Sequence, residues 1–307
     1  MLSLRSALPI VATMTVTVDL TEEFRWEGRT IRWGRTGAGP AVVFCHGTPW
    51  SSVVWQAYAQ ELGADHTVYL WDMPGFGRSS KQPDHRVDFD VQARVFAALL
   101  AHWGLDGTDA APHVVAHDYG GIVSLRAHLV EGARYMSLLL TDVVAIPPAG
   151  SPFFRFVQDN PDLLAGLPGY IHTAVVHEYI RGAGHRDLSD ADLAALVEPW
   201  VGAQGQPAFY RQIAQFDVKY LEDIESRLGG IDIPVHVVWG RQDTWIPLST
   251  GQRLHSLIPG ATLRTVDGAG HLIQYDAPVA LTGEIRRWLA AQPPVAPSGD
   301  RGGAHAG

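Results

Sequence analysis

Short apolar runs alternate with longer amphipathic stretches over most of the chain, and this alternation predicts the fold class. Nearly continuous apolar runs are typical of strands buried on both faces of a sheet, and apolar positions every three or four residues are typical of helices that pack on it. The pattern therefore predicts an α/β fold with a mostly parallel central sheet flanked by helices. The predicted strands cover residues 41–46, 67–72, 112–117, 136–144, 234–239 and 261–266. The predicted helices lie near residues 53–63, 88–104, 120–131, 248–258 and 277–290, and an alternating segment at residues 24–35 predicts a hairpin that opens the sheet.

The alternation stops after the strand at residues 136–144. From residue 147 to 228 the chain carries helical patterns without a convincing strand, including a capping sequence at Ser189–Asp192. We therefore predict an α/β core formed by residues 15–146 and 229–291, with an inserted helical cap at residues 147–228. The ends of the chain, residues 1–14 and 292–307, lack periodicity and are expected to be disordered.

One strand runs directly into Asp118-Tyr119-Gly120-Gly121, a sequence typical of a nucleophile elbow with a carboxylate in the nucleophile position. Small neighbours let the backbone pass close to itself in such a turn. An aspartate carboxyl has a reference pKa of about 3.9, so it can attack without a base, and its bond to a saturated carbon is an ester. Asp118 thus predicts displacement at carbon followed by ester hydrolysis, although an acidic helix cap would also account for an aspartate here.

Two further motifs follow in the order that a catalytic triad requires. The apolar run at residues 234–239 ends in a polar turn that holds Asp243, and a glycine-flanked loop beyond the next predicted strand holds His271. Nucleophile, acid and histidine occur in this chain order in the α/β-hydrolase fold and not in the other triad folds. Asp243 is the candidate orienting acid and His271 the candidate base.

With the His46-Gly47-Thr48-Pro49 turn that follows the strand at residues 41–46, these motifs resemble the aspartate-nucleophile branch of the α/β-hydrolase superfamily. That branch contains epoxide hydrolases and haloalkane dehalogenases, and the resemblance covers roughly residues 22–291. It implies an oxyanion hole formed by the backbone N–H groups of Thr48 and Tyr119, a helical cap over the site, and catalysis without a cofactor or a metal.

The resemblance also distinguishes between the two leaving groups. Dehalogenases of this branch place a tryptophan after the nucleophile and an asparagine or second tryptophan nearby, whereas this chain has Tyr119 and Thr48. Epoxide hydrolases protonate the opening alkoxide with cap tyrosines, for which a phenol is a suitable donor. Tyr210 occupies the most similar position, and Tyr170 and Tyr179 are the alternatives. The further candidates for lining the pocket are His46, Trp50, Phe154 and Trp200.

The favoured reaction is therefore conversion of an epoxide to a vicinal diol. Haloalkane or haloacid dehalogenation, hydrolysis of an ester or a C–C bond, and non-catalytic binding of a small molecule on the same scaffold remain the alternatives. These hypotheses share the fold. The enzymatic ones differ in the bond that is broken, and a binding protein breaks none.

Composition favours a small neutral organic substrate. The 307-residue chain has a formal net charge of −9 and no basic cluster, which argues against nucleic acid and against an anionic membrane surface. No apolar run approaches the roughly 18 residues of a membrane helix. The single cysteine, Cys45, excludes an internal disulfide, so a cytoplasmic location is expected. A monomer and a homodimer are both compatible with this sequence.

Overall fold

An eight-stranded sheet forms the centre of the computed structural model, which describes residues 17–107 and 110–292. The strand order is β1-β2-β4-β3-β5-β6-β7-β8; β2 pairs antiparallel with both β1 and β4, and the remaining pairs are parallel. The predicted α/β class with a mostly parallel sheet is confirmed. The strands are β1 Glu22–Trp26, β2 Arg29–Thr36, β3 Ala41–Cys45, β4 Thr67–Trp71, β5 His113–Asp118, β6 Ser137–Val143, β7 Val235–Gly240 and β8 Thr262–Val266.

Every residue of β5 and β6 is buried, because helices cover both faces of the parallel part of the sheet. The predicted strands and core helices agree with the structure to within about three residues, and among the core helices of residues 17–107 and 110–292 the short helix α11 is the one without a counterpart in the prediction. The helices are α1 Gln56–Leu62, α2 Phe89–His102, α3 Tyr119–Leu129, α4 Pro152–Asp159, α5 Pro161–Ala165, α6 Gly169–Arg181, α7 Asp190–Val197, α8 Gly202–Ala214, α9 Lys219–Glu225, α10 Leu248–Leu257, α11 Ile273–Asp276 and α12 Pro278–Ala290.

Six helices, α4 to α9, separate β6 from β7, and we refer to residues 147–228 as the helical insertion. Helix α7 begins at the predicted capping sequence, where the Ser189 side chain accepts a hydrogen bond from the Asp192 backbone N–H. At the far end of the insertion α9 packs against the core helix α3, and Arg126 on α3 forms an ion pair with Asp223 at 2.9 Å. The insertion is thus anchored to the core where the chain returns to the sheet.

The segments at the two ends, predicted to be disordered, lie outside the described residues, except for Gln292 just beyond α12. Within residues 17–107 and 110–292 the structure has no helix long and apolar enough to cross a membrane.

Two histidines of β5, His113 and His117, are buried as neutral side chains. Burial lowers the pKa of His113 to about 4, and the positive charge of His66 acts in the same direction. The pKa of His117 is lowered to about 3, first by burial and then by the positive charge of His271. Both values lie below the ordinary histidine value of 6.5, so the native state resists protonation of these rings.

We therefore expect the protein to lose stability in acid before its carboxylates titrate. The pKa of each ring is lower in the folded protein than in the unfolded chain. The contribution of each neutral ring to the free energy of unfolding is therefore fully present above pH 6.5 and is lost as the pH falls toward 4. Protonation of each histidine in the unfolded chain should lower the free energy of unfolding by about 3 kcal/mol at the acid end of this window. Urea unfolding followed by circular dichroism at pH 7 and 4.5 measures the loss. It should be smaller in His113→Gln, and an equal loss in the two proteins would contradict the assignment.

Candidate active site

Asp118 lies on a strained turn between β5 and α3. Its φ and ψ are 48° and −120°, a conformation that residues other than glycine rarely adopt, and the β5–β6 register shifts at the same point. The turn passes close to β3, since a Cβ atom on Gly120 would lie 2.5 Å from the Cys45 carbonyl oxygen. A larger residue in place of Gly120 would therefore collide with the backbone of β3. The turn places the Asp118 carboxylate beyond the end of β5.

The turn after β3 holds one oxygen of that carboxylate. The backbone N–H of Thr48 donates to Oδ1 of Asp118 at 2.6 Å. The contact is close enough that a Cβ atom on Gly47 would lie 2.3 Å from the same oxygen. One of the two predicted oxyanion donors, the Thr48 N–H, thus already donates to an oxygen of Asp118. The role of the Tyr119 N–H as the second donor stays a prediction.

The predicted base contacts the other oxygen of Asp118, and the predicted acid contacts the base. Nδ1 of His271 lies 2.9 Å from Oδ2 of Asp243, and Nε2 lies 3.3 Å from Oδ2 of Asp118, a charge contact that falls short of hydrogen-bond alignment. Asp243 is fixed in turn, because its Oδ1 accepts from the backbone N–H groups of Trp245 at 2.8 Å and Ile246 at 2.9 Å. The structure therefore brings the three residues of the predicted triad together.

The two carboxylates control the charge of the imidazole. Burial disfavours the charged ring, but Asp243 and Asp118 outweigh it and raise the pKa of His271 to about 10. Trp245 stacks over the same ring with centroids 5.0 Å apart, a position in which an aromatic face favours a cation. In the resting protein His271 is thus an imidazolium between two carboxylates at neutral pH.

A cavity of about 270 Å³ opens beside Asp118, between the core and the helical insertion. Its walls are mostly apolar and aromatic. Among the residues that line it in the described part of the chain, Asp118 is the only one that carries a charge. The lining residues are Thr48, Asp118, Tyr119, Val144, Gly150, Ser151, Pro152, Phe154, Tyr179, Phe216, Thr244, Trp245 and Ile246.

Two phenols, those of Tyr119 and Tyr179, lie in this lining. Burial raises the pKa of both hydroxyls well above 10, and the charge of Asp118 contributes in each case. The Tyr119 hydroxyl is buried and has no hydrogen-bond partner among residues 17–107 and 110–292. Tyr179 also contributes to the raised pKa of Tyr119. Both groups are therefore protonated at neutral pH, and both residues line the same cavity as the carboxylate.

The other two candidate tyrosines lie elsewhere. The Tyr210 ring is fully buried, but its hydroxyl lies 3.0 Å from Nδ1 of His172, whose Nε2–H donates to the Trp200 carbonyl at 2.8 Å. That histidine tautomer makes Nδ1 the acceptor of the Tyr210 proton, so the predicted role of Tyr210 as the main donor does not agree with its position. Tyr170 is 76% exposed on the outer face of the insertion. Neither tyrosine lines the cavity.

Of the four pocket candidates, only Phe154 lines the cavity. His46 holds the turn after β3, since its Nδ1–H donates to the Gly47 carbonyl and its Nε2 accepts from the Met73 N–H. Trp200 reaches the same turn from the insertion and donates from Nε1 to the Pro49 carbonyl at 2.6 Å. Trp50 is buried behind Trp245, with ring centroids 6.0 Å apart. These three residues therefore pack behind the wall of this cavity and do not line it.

The side-chain hydroxyl of Tyr119 is a feature that the sequence analysis missed. The sequence assigns Tyr119 a backbone N–H in the oxyanion hole and shows that it replaces the dehalogenase tryptophan, but its hydroxyl is not among the predicted donors. Its place directly after Asp118 is a sufficient signal, because α3 begins at Tyr119, next to the carboxylate.

Comparison with known proteins places this architecture in a family. Residues 42–284 match the model of the alpha/beta hydrolase family. A solved alpha/beta hydrolase fold protein from Burkholderia ambifaria is 44% identical, with a TM-score of 0.84 over 88% of this chain and 98% of that one.

Two curated relatives are more distant. N-formylmaleamate deformylase from Pseudomonas putida is 28% identical over 80% of this chain and 86% of its own length. The polyketide synthase ThaQ from Burkholderia thailandensis is 27% identical over 78% of this chain, which spans only 11% of that protein. The match to the family model over most of the chain, together with the sheet, the elbow and the order of the three residues, shows that this protein is a hydrolase of the alpha/beta hydrolase family.

Proposed function

We propose that this hydrolase opens epoxides to vicinal diols through an ester between the substrate and Asp118. The observation that carries the proposal is the composition of the cavity, which is lined by one carboxylate, that of Asp118, and by two protonated phenols, those of Tyr119 and Tyr179. An epoxide needs a nucleophile at carbon and an acid at oxygen, and this arrangement provides both.

In the first step Oδ2 of Asp118 attacks a ring carbon, an ester bond forms, and the C–O bond of the epoxide breaks. The oxygen leaves as an alkoxide and takes a proton from a phenol, which recovers it from the His271 imidazolium. Esterification removes the charge of Asp118 that helps to keep His271 protonated, so the proton transfer becomes favourable as the ester forms. The step ends with a neutral imidazole.

In the second step neutral His271 takes a proton from water, and the resulting hydroxide attacks the ester carbonyl carbon of Asp118. The Thr48 N–H, which donates to Oδ1 of Asp118 in the resting protein, stabilises the oxyanion on the same atom. Collapse of the tetrahedral intermediate breaks the bond between the carboxyl carbon of Asp118 and the ester oxygen, which leaves with the substrate and takes a proton from the imidazolium to complete the diol. The carboxylic acid left on Asp118 then gives its proton to His271, which restores the carboxylate and the imidazolium. Asp243 holds the ring throughout.

The lining also favours a neutral substrate. No lysine or arginine lines the cavity in the described part of the chain, so a carboxylate group of a substrate would be buried there without a cation. Apolar and aromatic surfaces, including Phe154, Phe216 and Trp245, suit an alkyl or aryl group. Haloalkane dehalogenation would use the same nucleophile and is the second candidate, since a phenol next to Asp118 can also donate to a halide.

His271→Gln should react once and stop, because attack by Asp118 needs no base and ester hydrolysis does. Exposure to styrene oxide should give a stoichiometric adduct on the peptide that contains Asp118, detected by intact-protein mass spectrometry and proteolysis. An epoxide adds its whole mass, whereas a 1-bromoalkane adds its mass less HBr, so the same measurement distinguishes the two reactions.

Asp118→Asn is the matched control, because it is nearly isosteric and should form no adduct. Circular dichroism checks that both variants fold. Repeated turnover by His271→Gln, or an adduct on a different residue, would contradict the mechanism.

Tyr179→Phe and Tyr119→Phe should each slow the opening of styrene oxide, since each removes one O–H donor and keeps the ring. Loss of one such donor costs on the order of 10²-fold in rate. Single-turnover experiments should place the loss in ester formation and leave ester hydrolysis close to normal. Tyr170→Phe, on the outer face of the insertion, is the control. A loss confined to Tyr210→Phe would show that the donor is not in this cavity.

A further inference from the structure

His117, the residue before the proposed nucleophile, is hydrogen-bonded to the backbone of the proposed base. Its ring is fully buried, and Nε2 lies 2.8 Å from the carbonyl oxygen of His271. A carbonyl can only accept, so Nε2 carries the proton and donates it. Nδ1 has no hydrogen-bond partner among residues 17–107 and 110–292. The single hydrogen bond of this ring is therefore directed at His271.

Aromatic packing fixes the ring in this orientation. The ring stacks on Trp50 with centroids 6.4 Å apart, and its edge meets Trp55 at 6.3 Å. The imidazole of His271 lies 5.0 Å away. Because burial keeps the ring neutral, as described for β5, it acts as a donor without adding a charge beside the two carboxylates.

Each side of His271 is held by a different part of the protein. The neighbouring N–H of Gly270 donates to Asp276, and that of Leu272 donates to the Ala183 carbonyl in the helical insertion. The bond from His117 is the one that connects the His271 backbone to β5, the strand that ends in Asp118. A direct side-chain connection between base and nucleophile exists only through the 3.3 Å contact with Oδ2 of Asp118.

That direct connection disappears during the proposed reaction. When Oδ2 of Asp118 becomes an ester oxygen, it loses its negative charge and no longer attracts the imidazole. At that stage the bond from His117 continues to fix the distance between His271 and the end of β5, and this distance determines where the attacking water lies relative to the ester carbon. The attack that forms the ester does not depend on this distance, because the carboxylate attacks without a base.

We propose that His117 is a positioning residue for the hydrolysis step, which it supports by holding the His271 backbone against the nucleophile strand. This inference rests on the proposed function, because it assumes an ester on Asp118.

Three variants test it with styrene oxide as the probe. His117→Phe keeps an aromatic ring of similar size and removes the donor. His117→Gln can place an amide N–H near the position of Nε2. His113→Phe removes a buried histidine from the other end of the same strand, where Nδ1 bonds to Ser137 Oγ at 2.8 Å, far from the site. Rapid quenching followed by intact-protein mass spectrometry gives separate rates for ester formation and ester hydrolysis.

In His117→Phe we expect hydrolysis of the ester to slow about tenfold, the effect of one lost hydrogen bond, while ester formation changes less than about twofold. The adduct should therefore accumulate during turnover. His117→Gln should recover most of the hydrolysis rate, and His113→Phe should match the wild-type protein in both steps. A merely structural role would lower both rates together.

Equal loss in the two steps, a normal hydrolysis rate in His117→Phe, or a His117→Gln variant as slow as His117→Phe would each overturn the inference. His271→Gln separates this failure from failure of the proposed function. If His271→Gln accumulates the adduct and His117→Phe hydrolyses it normally, only the positioning role is wrong. If His271→Gln forms no adduct while the wild-type protein turns over, the ester mechanism and this inference both fail.

Discussion

The buried contact between the Asp118 carboxylate and the His271 imidazolium is the interaction on which the site depends. Charges cannot be buried at low cost unless they are paired and hydrogen-bonded. Here Asp118 is compensated by the Thr48 N–H and by His271, and Asp243 by His271 and two backbone N–H groups. The need to satisfy these groups requires the turn after β3, the elbow after β5 and the loop after β7 to meet at one point. A parallel sheet allows this, because its strands end at the same edge.

The helical insertion covers the cavity and also holds the turn after β3. Gln212 on α8 accepts a hydrogen bond from the Thr48 hydroxyl at 2.9 Å, and Trp200 donates to the Pro49 carbonyl. The turn that supplies the Thr48 N–H is therefore held from both sides, by His46 from the core and by these two residues from the insertion. Displacement of the insertion would disturb the oxyanion donor as well as open the cavity. In the proposed mechanism, closure of the cavity and stabilisation of the oxyanion are thus coupled.

The sequence predicts those parts of this site that depend on local chain geometry. The segments that hold Asp118, Asp243 and His271 each occupy a few consecutive residues after a strand, so each can be recognised as a motif. The fold then brings these segments together at one edge of the sheet. The wall of the cavity depends on how helices of the insertion pack. Tyr170 and Tyr179 both lie on α6, nine positions apart, which is about two and a half turns, so they face opposite sides and only one can reach the cavity. This helical argument could have excluded one of them in advance. The hydrogen bond between the Tyr210 hydroxyl and His172 could not be predicted from the sequence, because it depends on the contact between α6 and α8.

Asp142 shows why the number of charges at the site matters. It is fully buried at the end of β6, where Oδ1 accepts from the Gly240 N–H and Oδ2 from the Thr141 hydroxyl. Burial, and then the charge of Asp243, raise its pKa well above the usual range, which favours a neutral carboxyl. An ionised Asp142 would add a third negative charge beside His271 and would hold the imidazolium proton more tightly. In the proposed mechanism that proton must leave once Asp118 is esterified, because only the neutral ring can activate water. With Asp142 neutral, Asp118 is the carboxylate whose charge changes during the proposed reaction. This change determines whether His271 is protonated.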